Sequence, residues 1–62
     1  MLLFASSSQA ASDIVAALGS AGFEVSFQPR SGAYPVSVEV AEDHESAVLD
    51  IAKAADPAVQ TR

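Results

Sequence analysis

Residues 23–40 read FEVSFQPRSGAYPVSVEV, and the alternation in this stretch decides the fold. Phe23, Val25 and Phe27 alternate with Glu24, Ser26 and Gln28, and Val36, Val38 and Val40 alternate with Ser37, Glu39 and Ala41. A period of two marks a β-strand with one dry side and one wet side. Pro29, Arg30, Ser31, Gly32 and Ala33 carry turn chemistry between the two runs, an ordinary length for a hairpin connection. Strands are therefore expected over about 23–28 and 34–41. Pro35 is tolerated at the start of the second, where its missing N–H breaks no ladder. The same parity puts Glu24 and Glu39 together on the wet side, where opposed like charges reduce stability.

On the N-terminal side of the hairpin, Ala11, Ile14, Val15, Leu18 and Ala21 form one helical stripe, and Gly22 follows where a left-handed residue is wanted. This predicts a helix over 8–21. Before it, residues 2–5 are an apolar run followed by Ser6, Ser7 and Ser8, which reads as a buried strand over 2–6 leading into an N-cap cluster. On the C-terminal side, Asp43 is a candidate N-cap with Glu45 in the first turn. Ala47, Val48, Ile51, Ala52 and Ala55 make a second stripe, and Pro57 halts a helix expected over 44–55. Leu49 falls outside that stripe and is expected as an exposed apolar contact. Residues 1–57 are thus one domain, and 58–62 a tail with little to bury.

The element order predicts an α+β fold, a two-layer βαββα unit with both helices on one side of an antiparallel sheet. A right-handed crossover after the first strand and insertion of the third between the first two give strand order 1-3-2. This is a split βαβ of the ferredoxin-like kind without its last strand. Strand one would then have a bare edge with no lysine, proline or charge to discourage pairing. Leu2, Leu3, Phe4 and Ala5 are accordingly expected to bind a partner by antiparallel self-pairing or by accepting a strand. Either Leu2 and Phe4 or Leu3 and Ala5 face away from the helices.

With 62 residues, the chain has room for one small domain, which buries only about 60% of the surface its unfolded form exposes. Thirteen of its apolar residues are alanine, and no cysteine is present to supply a disulfide or a thiolate metal site. Extra stability is expected from an oligomer or a partner. Eight acidic side chains against three basic ones give a net charge of −5. Phosphate binding needs clustered cations, so nucleic acid and anionic membrane surfaces are not expected partners. The N-terminal apolar run is too short and uncharged for an export signal, and no stretch is long enough to span a bilayer. A cytosolic setting is expected.

The chemistry-bearing residues are few. His44 stands among Glu42, Asp43 and Glu45, but consecutive residues on a helix start diverge, so a solvated capping cluster is expected rather than a metal site. Glu42, Asp43, Glu45 and Leu49 are expected to add an acidic contact surface for a partner. Ser6, Ser7 and Ser8 are expected to serve as plain helix caps, with an anion held at the helix start as the alternative. No serine or lysine has an activating base in view, so no enzyme, cofactor or metal is expected.

At residues 4–11 (FASSSQAA), 21–25 (AGFEV) and 33–38 (AYPVSV), the chain resembles two small ferredoxin-like groups. One is the SPOR domain, which binds glycan strands of bacterial envelopes. The other is the RraB-type inhibitor of ribonuclease E. The alanine and serine bias and the length are also similar to those of small accessory proteins of actinobacterial phages, which implies binding to a host protein. The expected function is a non-enzymatic interaction module, a homodimer or a binder of a basic or strand-donating protein. Alternatives are a small-ligand sensor resembling ACT-type regulatory domains and SPOR-like glycan binding.

Overall fold

The alternating stretch folds into a hairpin in the computed structural model, which describes residues 1–30 and 32–61. In chain order the elements are β1 (Leu2–Phe4), α1 (Ser8–Ser20), β2 (Glu24–Phe27), β3 (Pro35–Glu39), a 3-10 turn at Glu42–His44, α2 (Glu45–Ala55) and β4 (Gln60–Thr61). The strands form one open antiparallel sheet in the order β2-β3-β1-β4, and with two helices the fold is α+β.

Hairpin register runs from Glu24 opposite Glu39 to Phe27 opposite Val36, and Arg30 pairs with Ala33 beyond the strand ends. Gly32, at φ 74°, takes the left-handed conformation that the turn requires. Ser31, also part of the expected turn, lies outside the described residues. Pro35 opens β3 opposite Phe4, and the Ala5 N–H donates to the Tyr34 carbonyl at 3.1 Å, which continues the ladder past the proline.

Helix α1 starts at Ser7, whose hydroxyl accepts from the Ala10 N–H, and this capping bond satisfies one of the helix's orphan donors. It ends at Gly22, at φ 93°, with the Phe23 N–H donating to the Leu18 carbonyl and the Gly22 N–H to that of Gly19. This Schellman closure turns the chain from helix into β2.

Leu3, Val36 and Val38 from one side of the sheet pack with Ala11, Ile14 and Leu18 of α1, Val48 and Ala52 of α2, and Val59. The i, i+3, i+7 and i, i+4 spacings of the helical members are those of single stripes turned toward the sheet. The other side of the sheet carries Glu24, Ser26, Ser37, Glu39, Leu2 and Phe4, and neither helix covers it.

Five expectations are corrected. The sheet has four strands rather than three, because residues 60 and 61 of the expected tail pair with β1, with Leu3 opposite Thr61 and Phe4 opposite Gln60. Strand β1 is therefore an interior strand, and its edge is not bare. Val59, set aside as tail, is only 8% exposed and joins the core; Arg62, the last residue of that tail, lies outside the described residues. Asp43 does not cap α2: the chain enters through the 3-10 turn, His44 occupies the cap position, and no side chain caps the helix there. Finally, Leu49 is half-buried against the core rather than exposed, since a helix packed on two neighbours buries a wider arc than one stripe.

Candidate functional site: the open side of the sheet

Strand parity sorts the expected contact residues of β1 into two groups. Leu3 is fully buried and Ala5 buried beneath the helices, so these two are structural. Leu2 and Phe4 lie on the open side. Ser37 sits opposite Leu2 and Pro35 opposite Phe4, so Leu2, Phe4 and Pro35 form one apolar patch across two central strands. Together with Ser26, Ser37 and Arg30 they line a shallow depression of about 330 Å³. An adjoining hollow of about 220 Å³ is lined by Ser26, Ser37, Glu24 and Glu39. The two hollows share the serine pair, whose small side chains leave the middle of the surface low.

The charges on this side are segregated. Glu24 and Glu39 are directly opposed at one end, as the alternation requires. Arg30 lies at the other end, beyond Gln28, and makes no ion pair among the described residues. Sequence reasoning placed Glu24, Glu39 and the two serines on this side but missed Arg30 and Pro35 as part of the same surface. The signal was present: positions 24, 26, 28 and 30 share a parity.

Glu42 and Asp43 are exposed on the 3-10 turn, and Glu45 is half-buried at the first turn of α2. They stand apart from the apolar patch, at the entrance to the helical layer, and Leu49 lies among the core-packed residues. The His44 Nδ1 is 4.0 Å from an Asp43 carboxylate oxygen, an exposed contact at the limit of an ion pair. Among the described residues no group of three or more His, Cys, Asp or Glu could hold a metal ion, and no helix is long and apolar enough to cross a membrane.

The serine cluster at the start of α1 does receive an anion, but one from its own chain. Asp56, only 4% exposed, accepts from the Ser6 N–H at 2.9 Å, the Ser6 hydroxyl at 2.9 Å and the Ala58 N–H at 3.1 Å. The Ser6 N–H holds this carboxyl below its ordinary pKa of 3.8; burial opposes the shift, and the Ser6 hydroxyl and Ala58 N–H add to it. The Ser6 N–H and hydroxyl that an external anion would use are thus taken by Asp56, while the Ser7 hydroxyl accepts the capping bond from Ala10.

Asp56 also sets the chain reversal after α2. Its carboxylate bonds Ala58 two residues on, and the Val59 N–H donates to its carbonyl at 3.0 Å. Pro57 supplies the fixed φ of the turn. The reversal delivers Val59 to the core and β4 to the side of β1. Sequence reasoning missed this residue, although an Asp-Pro pair followed by one isolated valine is a turn signal with an apolar anchor.

No protein-family model matches the chain, and no curated protein or solved structure is significantly similar to it.

Proposed function

We propose that this chain is a non-enzymatic protein-interaction module whose contact surface is the open side of its sheet. The observation that carries this reading is the side-by-side placement of Leu2, Phe4 and Pro35 on the face that neither helix covers, around the depression of about 330 Å³. Nothing in the packing of the core calls for apolar residues there, because parity sends them away from it. An apolar centre with a rim of serine, glutamine and charged side chains is the usual anatomy of a protein contact.

The strand arrangement is read here as a ferredoxin-like split in which β4 takes the closing place beside β1. Edge pairing at β1 has no part in the proposal, since β4 occupies that edge. The module works by binding, as the resemblance to small accessory proteins implies, and its setting is read as cytosolic from the short, uncharged N-terminal apolar run.

Photo-crosslinking tests the reading. Benzoylphenylalanine is placed at Phe4 in one variant and at Lys53, exposed on α2, in another, and the cells producing each are irradiated. Discrete protein adducts at position 4 and none at position 53 are expected. No adduct at position 4, or the same set at both positions, overturns the proposal.

A further inference from the structure

The open side of the sheet is self-complementary, and we infer that its partner is a second copy of this chain, packed face to face with strands running in opposite directions. This inference rests on the proposed use of that side as a contact surface and names the occupant.

The register divides the surface into four rows across the strands. Glu24 and Glu39 make the first row; Ser26, Ser37 and Leu2 the second; Gln28, Pro35 and Phe4 the third; Arg30 and Ala33 the fourth. A two-fold axis lying between two such sheets, perpendicular to the strands and midway between the second and third rows, keeps each strand over its own equivalent. It exchanges the first row with the fourth and the second with the third. Leu2 then faces Phe4 of the second copy, and Ser37 faces Pro35. Arg30 faces Glu24, with Glu39 beside it. Such an isologous pair closes on itself and leaves no free patch.

Two electrostatic demands that the single chain leaves unmet are met together in this pair. The opposed Glu24 and Glu39 repel each other across the hairpin, and Arg30 has no carboxylate partner among the described residues. Antiparallel stacking sets Arg30 of each copy against the acidic pair of the other, and a guanidinium serves two carboxylates well. A parallel arrangement would bring the acidic ends of both copies together at one end of the pair and both arginines together at the other, and is disfavoured by repulsion.

The chain's net charge of −5 does not oppose this. Of its eight acidic residues, Asp13 lies on α1, Glu42, Asp43, Glu45 and Asp50 on the 3-10 turn and α2, and Asp56 is buried. In a face-to-face pair the helical layers point outward, separated by about 10 Å per packed layer, beyond the roughly 8 Å screening length at physiological salt. Among the described residues, the open side itself carries two glutamates and one arginine.

Four short strands make a face of about 15–20 Å by 20 Å. That is smaller than the roughly 800 Å² per partner of a standard interface, so a weak dimer is expected.

Sedimentation equilibrium of the full chain from about 10 μM to about 1 mM tests the inference. A monomer–dimer equilibrium is expected. The Arg30→Glu variant has an all-acidic rim and the Glu24→Arg, Glu39→Arg variant an all-basic one; each alone should associate at least about tenfold more weakly than the parent. Mixed, they should form a heterodimer tighter than the parent homodimer, weakening as salt is raised. The three substituted positions, Glu24, Arg30 and Glu39, are exposed, and far-UV circular dichroism checks that each variant is folded. A parent chain monomeric at the highest concentration, or a dimer that the charge reversals leave unchanged, overturns the inference. Crosslinked adducts to other proteins at position 4 would then still support the interaction reading, while loss of both would remove it too.

Discussion

The two sides of the sheet are made by the same strands and differ in what they meet. On the inner side Leu3, Val36 and Val38 are sealed under the helices. On the outer side, one residue away along each strand, Leu2, Pro35 and Ser37 meet solvent. Hydropathy alone does not separate Leu2 from Leu3. Parity does, and the comparison teaches that a side chain's role in a two-layer domain follows from which side of the pleat it occupies.

The sharpest way to break the comparison is to put one substitution on each side. Leu3→Lys buries a cation in a closed apolar cluster and is expected to unfold the chain at 25 °C, a loss of at least about 3–5 kcal/mol. Leu2→Lys changes stability by less than about 1 kcal/mol, because the ammonium reaches water. Chemical denaturation of both variants followed by circular dichroism checks the pair, and similar losses for the two would show that the sides are not distinct.

A smaller effect is expected where the two layers are clasped together. Asp56→Ala removes the acceptor of three hydrogen bonds and is expected to cost about 2–4 kcal/mol. Hydrogen exchange should accelerate at Val59, Gln60 and Thr61 as β4 leaves β1. The wild-type contribution also depends on pH. Because the folded carboxyl is held below 3.8, its stabilisation is complete above the unfolded value and is lost as pH falls through the folded value. Wild-type stability should drop below about pH 4, and Asp56→Asn should flatten that drop; parallel acid profiles for the two proteins would exclude the clasp as the cause.

The smallest effect sharpens the outer side. Glu24→Gln relieves the repulsion with Glu39 and is expected to raise the monomer's stability by a few tenths of a kcal/mol, read as a midpoint shift in urea. A decrease would mean that the glutamate pair is supported by a contact within the chain.

Much of the fold was legible because alternation and helical stripes are local signals. The hairpin, the two helices, the Gly22 closure and the shared side of Glu24 and Glu39 all follow from spacing along short stretches. The fourth strand was not legible. Gln60 and Thr61 are two exposed residues with no alternation to display, and they become a strand only because Asp56, Pro57 and Val59 return the chain to β1. The contact surface was half legible: Leu2 and Phe4 were named together with Leu3 and Ala5, and the choice between the pairs needed the position of the helices. Glu42, Asp43, Glu45 and Leu49 were named from local pattern, and the fold holds them away from the apolar patch.

By itself the sequence determined which residues alternate, which stretches become helices, and that no cysteine pair can staple the chain. Tertiary structure alone decided which side of β1 is buried, that Ser6 binds the carboxylate of Asp56 fifty residues later, and that a strand of two residues closes the edge. The physical reason is one of range. Periodicity is written by neighbours a few residues apart, whereas a buried carboxylate and a paired edge depend on groups that meet only after the chain has folded back on itself.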